Sequence, residues 1–361
     1  MSRPTYLTID LSALRHNFDR VRAAAPKRLI IAMVKANAYG HGITRVAEAL
    51  PEADAFGVAS LEEGVILREA GITQTIVLME GIFDAEELVL ADKFGFSLLI
   101  HHLPHVEILE KMNFGAKGFS IWLKINTGMH RLGFAPNDIN DIYQRLSLLP
   151  AIKKPIGLMT HFATADQIDS EQTASQIKLF SLITKNFAGP KSLANSAGIL
   201  AWPESHGDWV RPGLMLYGAS PFSGRHGGDE HLRPVMTLWS RLIAITSVKK
   251  NGKIGYGATW SAPEDMLVGV VGVGYGDGYP QFAKNGTPVL VNGVLCPLVG
   301  RVSMDMLTVD LRSLTHAEVG DKVILWGEGL PVEKVACCAN TSPYEILTRM
   351  TPRPKVEVSS K

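Results

Sequence analysis

The chain has few cysteines and almost no excess charge. Its 361 residues include three cysteines, Cys296 and the adjacent Cys337 and Cys338. These have neither the CxxC spacing of a zinc site nor the even number typical of a disulfide framework, so we expect buried or incidental thiols. Because 36 Lys and Arg residues oppose 35 Asp and Glu residues, the formal net charge is only +1. No basic surface therefore indicates a nucleic-acid partner, and local groups must bind any anionic ligand.

The sequence also lacks long apolar runs. No run approaches the roughly 18 residues that a membrane span requires. The first residues, MSRPTYLTIDLSAL, do not show a basic segment followed by a long apolar one, as a secretory signal would. We therefore expect a soluble cytoplasmic protein with no membrane partner.

Short apolar runs alternate with helix-like segments through the first two thirds of the chain. Eight such runs are strand candidates: LIIAMV, AFGVAS, TIVLM, FSLLI, FSIWLKI, PIGLMTHF, SLANS and WVRPG. Eight strands alternating with helices over roughly 200 residues are what a (β/α)8 barrel of the TIM type requires. The pattern predicts this α/β architecture for residues 1–232.

The pattern changes after about residue 232. Glycine-interrupted runs rich in β-branched residues follow: LIAITSV, MLVGVVGV, TPVLVNGVLCPLVG, MLTVDL and KVILWG. They predict a mainly β C-terminal domain over residues 233–361. The first ten or so residues are candidates to pack with this second domain.

Reactive side chains concentrate where the predicted barrel strands end, which is where barrel enzymes place their chemistry. A lysine emerging from an apolar strand is open to desolvation, which lowers its pKa and suits it to forming imines. Considered alone, such a lysine is as easily one that extends from the barrel to solvent, and the clustering itself could be coincidental. The strand-end residues are Lys35, Lys124, Arg131, His161, Ser196 and Arg211.

The same segments carry a family resemblance. AMVKANAYGHG, LKINTGMHRLGF, THFATAD, NSAG, VRPGLMLYG, IGYGATW, GYGDGYP, GRVSMDM and PYEIL closely resemble, in order, the motifs of the alanine racemases. These are enzymes of fold type III that depend on pyridoxal 5'-phosphate (PLP). The match extends from the first barrel strand to the last residues, and its first and fifth motifs are very specific.

The resemblance implies a two-base interconversion of L- and D-alanine. PLP would be held on Lys35 as an imine, and racemisation needs a proton donor and acceptor on each face of the substrate. Lys35 would serve the D-isomer, and Tyr256, contributed by the partner subunit, would serve the L-isomer. A homodimer with shared active sites follows from this. Taken alone, a tyrosine between glycines is usually a turn residue.

Other roles are implied for the residues around the cofactor. Arg211 would donate to the pyridine nitrogen and leave it an uncharged acceptor, because a guanidinium does not release its proton. His161 would lie near the pyridine ring or in the hydrogen-bond shell of Arg211. The phosphate would be bound by Tyr39, Ser196, the backbone N–H groups of Gly213 and Leu214, and Tyr344.

The resemblance also assigns the substrate side of the site. Arg131 would bind the phenolic oxygen of PLP and the substrate carboxylate, aided by the Met304 backbone of the partner. Lys124 is a candidate for carbamylation that would fix this arginine. Tyr275 and Arg301 would line an access channel that favours alanine. The sequence departs from many relatives at Gly276, Ser303 and Ser342.

One histidine run is a possible metal motif. His101, His102 and His105 form HHxxH, but Pro104 lies inside it and no acidic partner is near. These features favour a loop that enters a helix, and the sequence predicts no metal site.

The sequence leaves one rival function open and argues against two others. A racemase acting on serine or on broader substrates differs only in pocket size. A fold type III decarboxylase would have glutamate where Arg211 stands. A non-catalytic PLP-binding protein would not need Tyr256 or a second domain. The sequence also leaves open whether D-alanine supplies peptidoglycan or exogenous alanine is broken down.

Overall fold

The computed structural model describes residues 3–111 and 118–360. After a first strand, β1 (Tyr6–Asp10), eight parallel strands close into a barrel in sequence order. The last pairs with the first, and Ile30 lies beside Val210. The predicted (β/α)8 barrel is confirmed, and each of its eight strand candidates forms a strand. The barrel strands are β2 (Leu29–Met33), β3 (Ala55–Val58), β4 (Thr75–Leu78), β5 (Ser97–Ile100), β6 (Ile121–Lys124), β7 (Gly157–Met159), β8 (Lys191–Ser192) and β9 (Trp209–Val210).

Helices surround the barrel, and side-chain caps fix where several of them begin. Asp84 accepts a hydrogen bond from the backbone N–H of Glu87 at 2.8 Å, and Ser170 caps a later helix in the same way. Such caps satisfy amide groups that the first turn leaves unpaired. The helices of this domain are Leu11–Ala24, Ile43–Glu48, Leu61–Glu69, Ala85–Phe94, Leu103–Lys111, Ile139–Leu148, Glu171–Thr184 and Ser196–Ala201.

The remaining chain forms a mainly β second domain, as predicted. Its strands are β10 (Met236–Val248), β11 (Lys253–Ile254), β12 (Trp260–Ser261), β13 (Met266–Val271), β14 (Pro288–Val291), β15 (Val294–Pro297), β16 (Leu307–Asp310), β17 (Lys322–Trp326) and β18 (Lys355–Ser359). The largest sheet has the order β15-β14-β17-β10-β1-β18, and β13 joins β10 to β16. Two short helices, Val332–Cys338 and Pro343–Thr348, accompany them.

Strand β1 belongs to this second sheet although it precedes the barrel in sequence. It pairs antiparallel with β10 and parallel with β18. The second domain also reaches the barrel mouth, because helix Pro343–Thr348 contacts the segment that follows β2. No helix in the described parts of the chain combines the length and apolar character needed to cross a membrane.

Candidate active site

One cavity of about 820 Å³ opens at the C-terminal mouth of the barrel. Strand ends from around the barrel and the helix Pro343–Thr348 contribute to its walls. Every residue that the sequence assigned to the cofactor lines this cavity, together with the carbamate candidate. These are Lys35, Tyr39, Lys124, Arg131, His161, Ser196, Arg211, Gly213, Leu214 and Tyr344.

Lys35 opens a short left-handed helical turn that runs to Tyr39. Ala36, Asn37 and Ala38 have φ of 52° to 53°, a conformation that L-residues rarely adopt in succession. The Glu63 carboxylate stabilises the turn by accepting from the backbone N–H of Asn37 at 3.2 Å. Strained backbone held by its surroundings is typical of functional sites. The turn places Lys35 at the wall of the cavity immediately beyond β2.

Arg211 is a buried cation at the base of the cavity. Its guanidinium donates to Ser192 Oγ and to the Thr160 carbonyl, both at 2.7 Å, and to the Leu193 carbonyl at 3.1 Å. Burial lowers the pKa of Arg211 to about 10, so the side chain stays charged at neutral pH. A fixed donor, already oriented by three acceptors, therefore faces the site.

His161 lies in the hydrogen-bond shell of Arg211. Its Nδ1 is 3.2 Å from the Arg211 guanidinium and accepts from it. Burial, followed by the charges of Arg211, Lys124 and Arg131, holds the pKa of His161 well below its usual value. The imidazole is therefore neutral and can act as an acceptor toward Arg211.

Lys124 ends β6 inside the same cavity and is only 8% exposed. Burial, followed by repulsion from Arg211, Arg131 and Lys35, lowers the pKa of Lys124 from 10.5 to about 8. Glu80, which also lines the cavity, opposes this shift. Near neutral pH an amine with this pKa is still mostly protonated, but its uncharged fraction, which is the form that reacts with carbon dioxide, is much larger than that of an ordinary lysine.

Backbone amides and hydroxyls meet on the side of strands β8 and β9. Ser196 Oγ accepts from the backbone N–H groups of Gly213 at 3.0 Å and Met215 at 3.3 Å. A Cβ added at Gly213 would lie 2.5 Å from the Tyr39 hydroxyl, so only glycine allows this approach. Tyr39 in turn stacks on Tyr217 with ring centroids 4.6 Å apart. These groups form a neutral cradle suited to a phosphate.

The other predicted residues line a different cavity, of about 850 Å³, on the second domain. Tyr256 lies in the loop between β11 and β12 and is 72% exposed. Tyr275, Arg301 and Met304 line the same cavity, whereas Lys35 does not. Within one chain, the two residues assigned to acid/base chemistry therefore belong to separate cavities.

An ion-pair network that the sequence did not predict anchors the loops beside Tyr256. Asp277 is fully buried and pairs with Arg3 at 2.5 Å, while its carboxylate accepts from the Gly274 N–H at 2.9 Å. Arg353 pairs with Asp305 at 2.6 Å. These residues are far apart in sequence, so no local pattern could have connected them. The network ties the Tyr275 turn to the loop that carries Met304.

Glu80 and Ser342 are further cavity residues that the sequence interpretation did not assign to the site. Glu80 follows β4 and could have been found by the same strand-end rule that identified Lys124. Ser342 was noted only as a departure from relatives. It caps helix Pro343–Thr348 by accepting from the backbone N–H of Glu345 at 3.3 Å, which suits serine.

The histidine run does lead into a helix, as predicted. Helix Leu103–Lys111 begins directly after His102. The structure nevertheless brings His101, His102 and His105 together, with one potential ligand atom from each within 4.8 Å of the others. Sequence spacing alone did not indicate this proximity.

The chain matches alanine racemases along nearly its whole length. Residues 9–221 match the family described as alanine racemase, N-terminal domain, and residues 235–358 match alanine racemase, C-terminal domain. An alanine racemase of Coxiella burnetii is 49% identical over 98% of both chains. One from Nitrosococcus oceani is 51% identical over 96% of both.

Solved structures give the same result. The biosynthetic alanine racemase from Pseudomonas aeruginosa superposes with a TM-score of 0.96 at 43% identity, covering 99% of this chain and 100% of that one. Alanine racemase from Acinetobacter baumannii gives 0.94 at 40% identity, with coverage of 99% and 100%. Since both domains, their order and the full length match, the chain belongs to the alanine racemase family.

Proposed function

We propose that the chain interconverts L- and D-alanine with PLP as its cofactor. The observation that carries the proposal is the convergence of Lys35, a buried Arg211 and a hydroxyl-amide cradle in one cavity. The isomerase class follows from the family. The cofactor, the individual residue roles and the dimer are our inference.

The cavity suits PLP chemically. A phosphate needs converging donors, and Tyr39, which follows β2, lies together with Ser196 after β8 and the backbone of Gly213 and Leu214 after β9. In this arrangement the Gly213 N–H donates to Ser196 Oγ. A bound phosphate would therefore either share this N–H with Ser196 or replace Ser196 as its acceptor. When bound, PLP supplies an electron sink that makes the substrate α-hydrogen removable. Lys35 is the amine placed to hold it covalently.

The surrounding cations define what the protein itself contributes. Arg211 stays protonated and would donate to the pyridine nitrogen, which remains an acceptor. Arg131 is on the same wall and would bind the substrate carboxylate through a charge-assisted hydrogen bond. The Lys35 amine would accept or return the α-proton on one face of the substrate.

The second base would come from a second copy of the chain. Tyr256 is exposed beside Phe282 and Met304, which are 80% and 53% exposed and line the same cavity. Contiguous exposed apolar side chains of this kind mark protein interaction surfaces. In a homodimer this surface would cover the barrel mouth of the partner, and Tyr256 would serve the opposite face of the substrate there.

We assign this activity to the cytoplasm, where D-alanine would supply peptidoglycan. The likeness to a biosynthetic enzyme of Pseudomonas aeruginosa favours this role over breakdown of alanine. Tyr275 and Arg301 lie beside Met304 and would narrow the access channel, which favours alanine over larger amino acids.

A panel of L-amino acids in deuterium oxide tests the activity. With PLP present, alanine should give both the D-isomer and α-deuterium, serine much less of either. Lys35→Ala should lose activity together with the absorbance of bound cofactor. Tyr256→Phe should keep that absorbance and lose L-to-D conversion. An absence of exchange with alanine would refute the proposal, and identical behaviour of both variants would refute the two-base assignment.

A further inference from the structure

Three histidines form a compact cluster where β5 passes into the following helix. The ring centroids of His101 and His102 are 4.6 Å apart, and that of His105 lies 4.5 Å and 3.8 Å from them. One potential ligand nitrogen from each ring is within 4.8 Å of the other two. His105 is buried, His101 is half-buried and His102 is exposed. The cluster is therefore anchored inside the protein and open on one side.

Hydrogen bonding leaves nitrogen lone pairs available in this cluster. His101 Nε2 is 2.9 Å from the Glu80 carbonyl, which can only accept, so this nitrogen carries the proton and Nδ1 keeps its lone pair. Metal-binding histidines are usually oriented by such a bond from their other nitrogen. The buried Nδ1 of His105 has no hydrogen-bond partner among residues 3–111 and 118–360. An unpartnered buried nitrogen is costly unless a ligand satisfies it.

Neither Pro104 nor the missing acidic partner keeps the three histidines from sharing a ligand. Pro104 is the second residue of helix Leu103–Lys111, a position where proline is tolerated because no intrahelical donor is lost. It therefore starts the helix and does not separate the histidines. An acidic partner is not needed either, because three imidazoles and a water complete a tetrahedral zinc site.

We propose that His101, His102 and His105 bind a divalent transition metal of the zinc type, with water as the fourth ligand. Neutral imidazoles favour Zn²⁺, Ni²⁺ or Cu²⁺ over Mg²⁺ or Ca²⁺. Zinc–nitrogen distances of about 2.0–2.1 Å need ligand atoms about 3.4 Å apart, so metal binding would draw together nitrogens that lie within 4.8 Å of one another. Glu80 lines the cofactor cavity, so the metal would stabilise one wall of it through His101. The site does not depend on the racemase proposal.

Zinc titration of the untagged, chelator-treated holoenzyme tests this site. A chromophoric competing chelator should report one Zn²⁺ per chain, and Co²⁺ should give the visible bands of a tetrahedral complex. His102→Ala removes one ligand at an exposed position and should weaken binding at least about tenfold. His316→Ala is the matched control, because His316 is exposed and pairs with Glu318 elsewhere. It should bind as the wild type does.

Two results would overturn the proposal. One is the absence of stoichiometric binding. The other is equal affinity in wild type and His102→Ala, which would place the metal elsewhere, for example at the adjacent Cys337 and Cys338. Alanine racemisation is measured separately on the same samples, so failure of the metal site leaves the proposed activity untouched.

Discussion

Arg211 combines a structural and a chemical role in one side chain. Its three donations to Ser192, Thr160 and Leu193 satisfy acceptors inside the barrel, and the resulting fixed cation faces the cofactor cavity. Arg131 lines the same cavity but is exposed. Substitutions at the two arginines therefore separate the effect of burial on stability from the effect of the charge itself.

Arg211→Met should destabilise the protein far more than Arg131→Met. Each unpaired buried acceptor costs about 1–3 kcal/mol, and relief of repulsion on Lys124 offsets part of the total. We expect the Arg211 variant to lose about 2 kcal/mol or more of unfolding free energy, and the Arg131 variant less than about 0.5 kcal/mol. Urea unfolding without cofactor measures both. Similar losses would contradict the structural role of Arg211.

The lowered pKa of Lys124 predicts that the free energy of unfolding depends on pH. Below pH 8 the Lys124 amine is charged in both the folded and the unfolded protein, and the folded protein bears the full cost of burying the charge. Between pH 8 and 10.5 the folded state releases this proton before the unfolded state does, so the cost disappears as pH rises. The shift in the pKa of Lys124 from 10.5 to about 8 corresponds to a burial cost of about 3 kcal/mol.

Lys124→Met should therefore be more stable than wild type at pH 7.5, and this advantage should shrink toward pH 10. Melting temperatures of both proteins, measured without cofactor in buffers free of carbon dioxide, give the comparison. Removal of carbon dioxide prevents a carbamate from changing the charge. A difference that stays constant with pH would show that Lys124 does not titrate as described.

The backbone at the barrel cavity carries strain that sequence patterns do not reveal. The barrel strands were predictable because each is a short apolar run bounded by polar residues. The turn from Lys35 to Tyr39 has no such signature, since its left-handed backbone depends on Glu63 and on a helix of the other domain. Strand β10 begins at Met236, ahead of the predicted LIAITSV run, because pairing with β1 and β17 extends it.

Gly40→Ala tests how this turn meets the second domain. Gly40 has φ of 81°, and a Cβ there would lie 2.1 Å from the Leu347 carbonyl oxygen. Gly71 has φ of 85°, and no atom in the described parts of the chain lies within 4 Å of its Cβ position, so Gly71→Ala imposes the same backbone cost without the clash.

The Gly71 variant should lose about 1–2 kcal/mol of unfolding free energy, the cost of a left-handed alanine. The Gly40 variant should lose about 2 kcal/mol more and bind PLP more weakly, because its clash displaces the helix that carries Tyr344. Urea unfolding and cofactor titration separate the two effects. Equal stability and equal PLP affinity would mean that the domain contact at Gly40 is unimportant.

At the scale of the whole molecule, the chain carries two cavities on different domains. The cofactor cavity lies on the barrel, and the cavity containing Tyr256 lies on the second domain. Sequence resemblance pointed to both sets of residues. It also implied that Tyr256 serves the site of the partner subunit, but it did not predict the Asp277 network that fixes the second set, because that network joins residues distant in sequence.

A heterodimer of Lys35→Ala and Tyr256→Phe chains tests the shared site most directly. Each variant alone should be inactive in L-to-D conversion of alanine. A hybrid, co-expressed with two different tags and purified through both, has one site that combines an intact Lys35 with an intact Tyr256. With two-fold symmetry, we expect about half the wild-type turnover per dimer. Activity no higher than that of the parent variants would contradict an active site built from two chains.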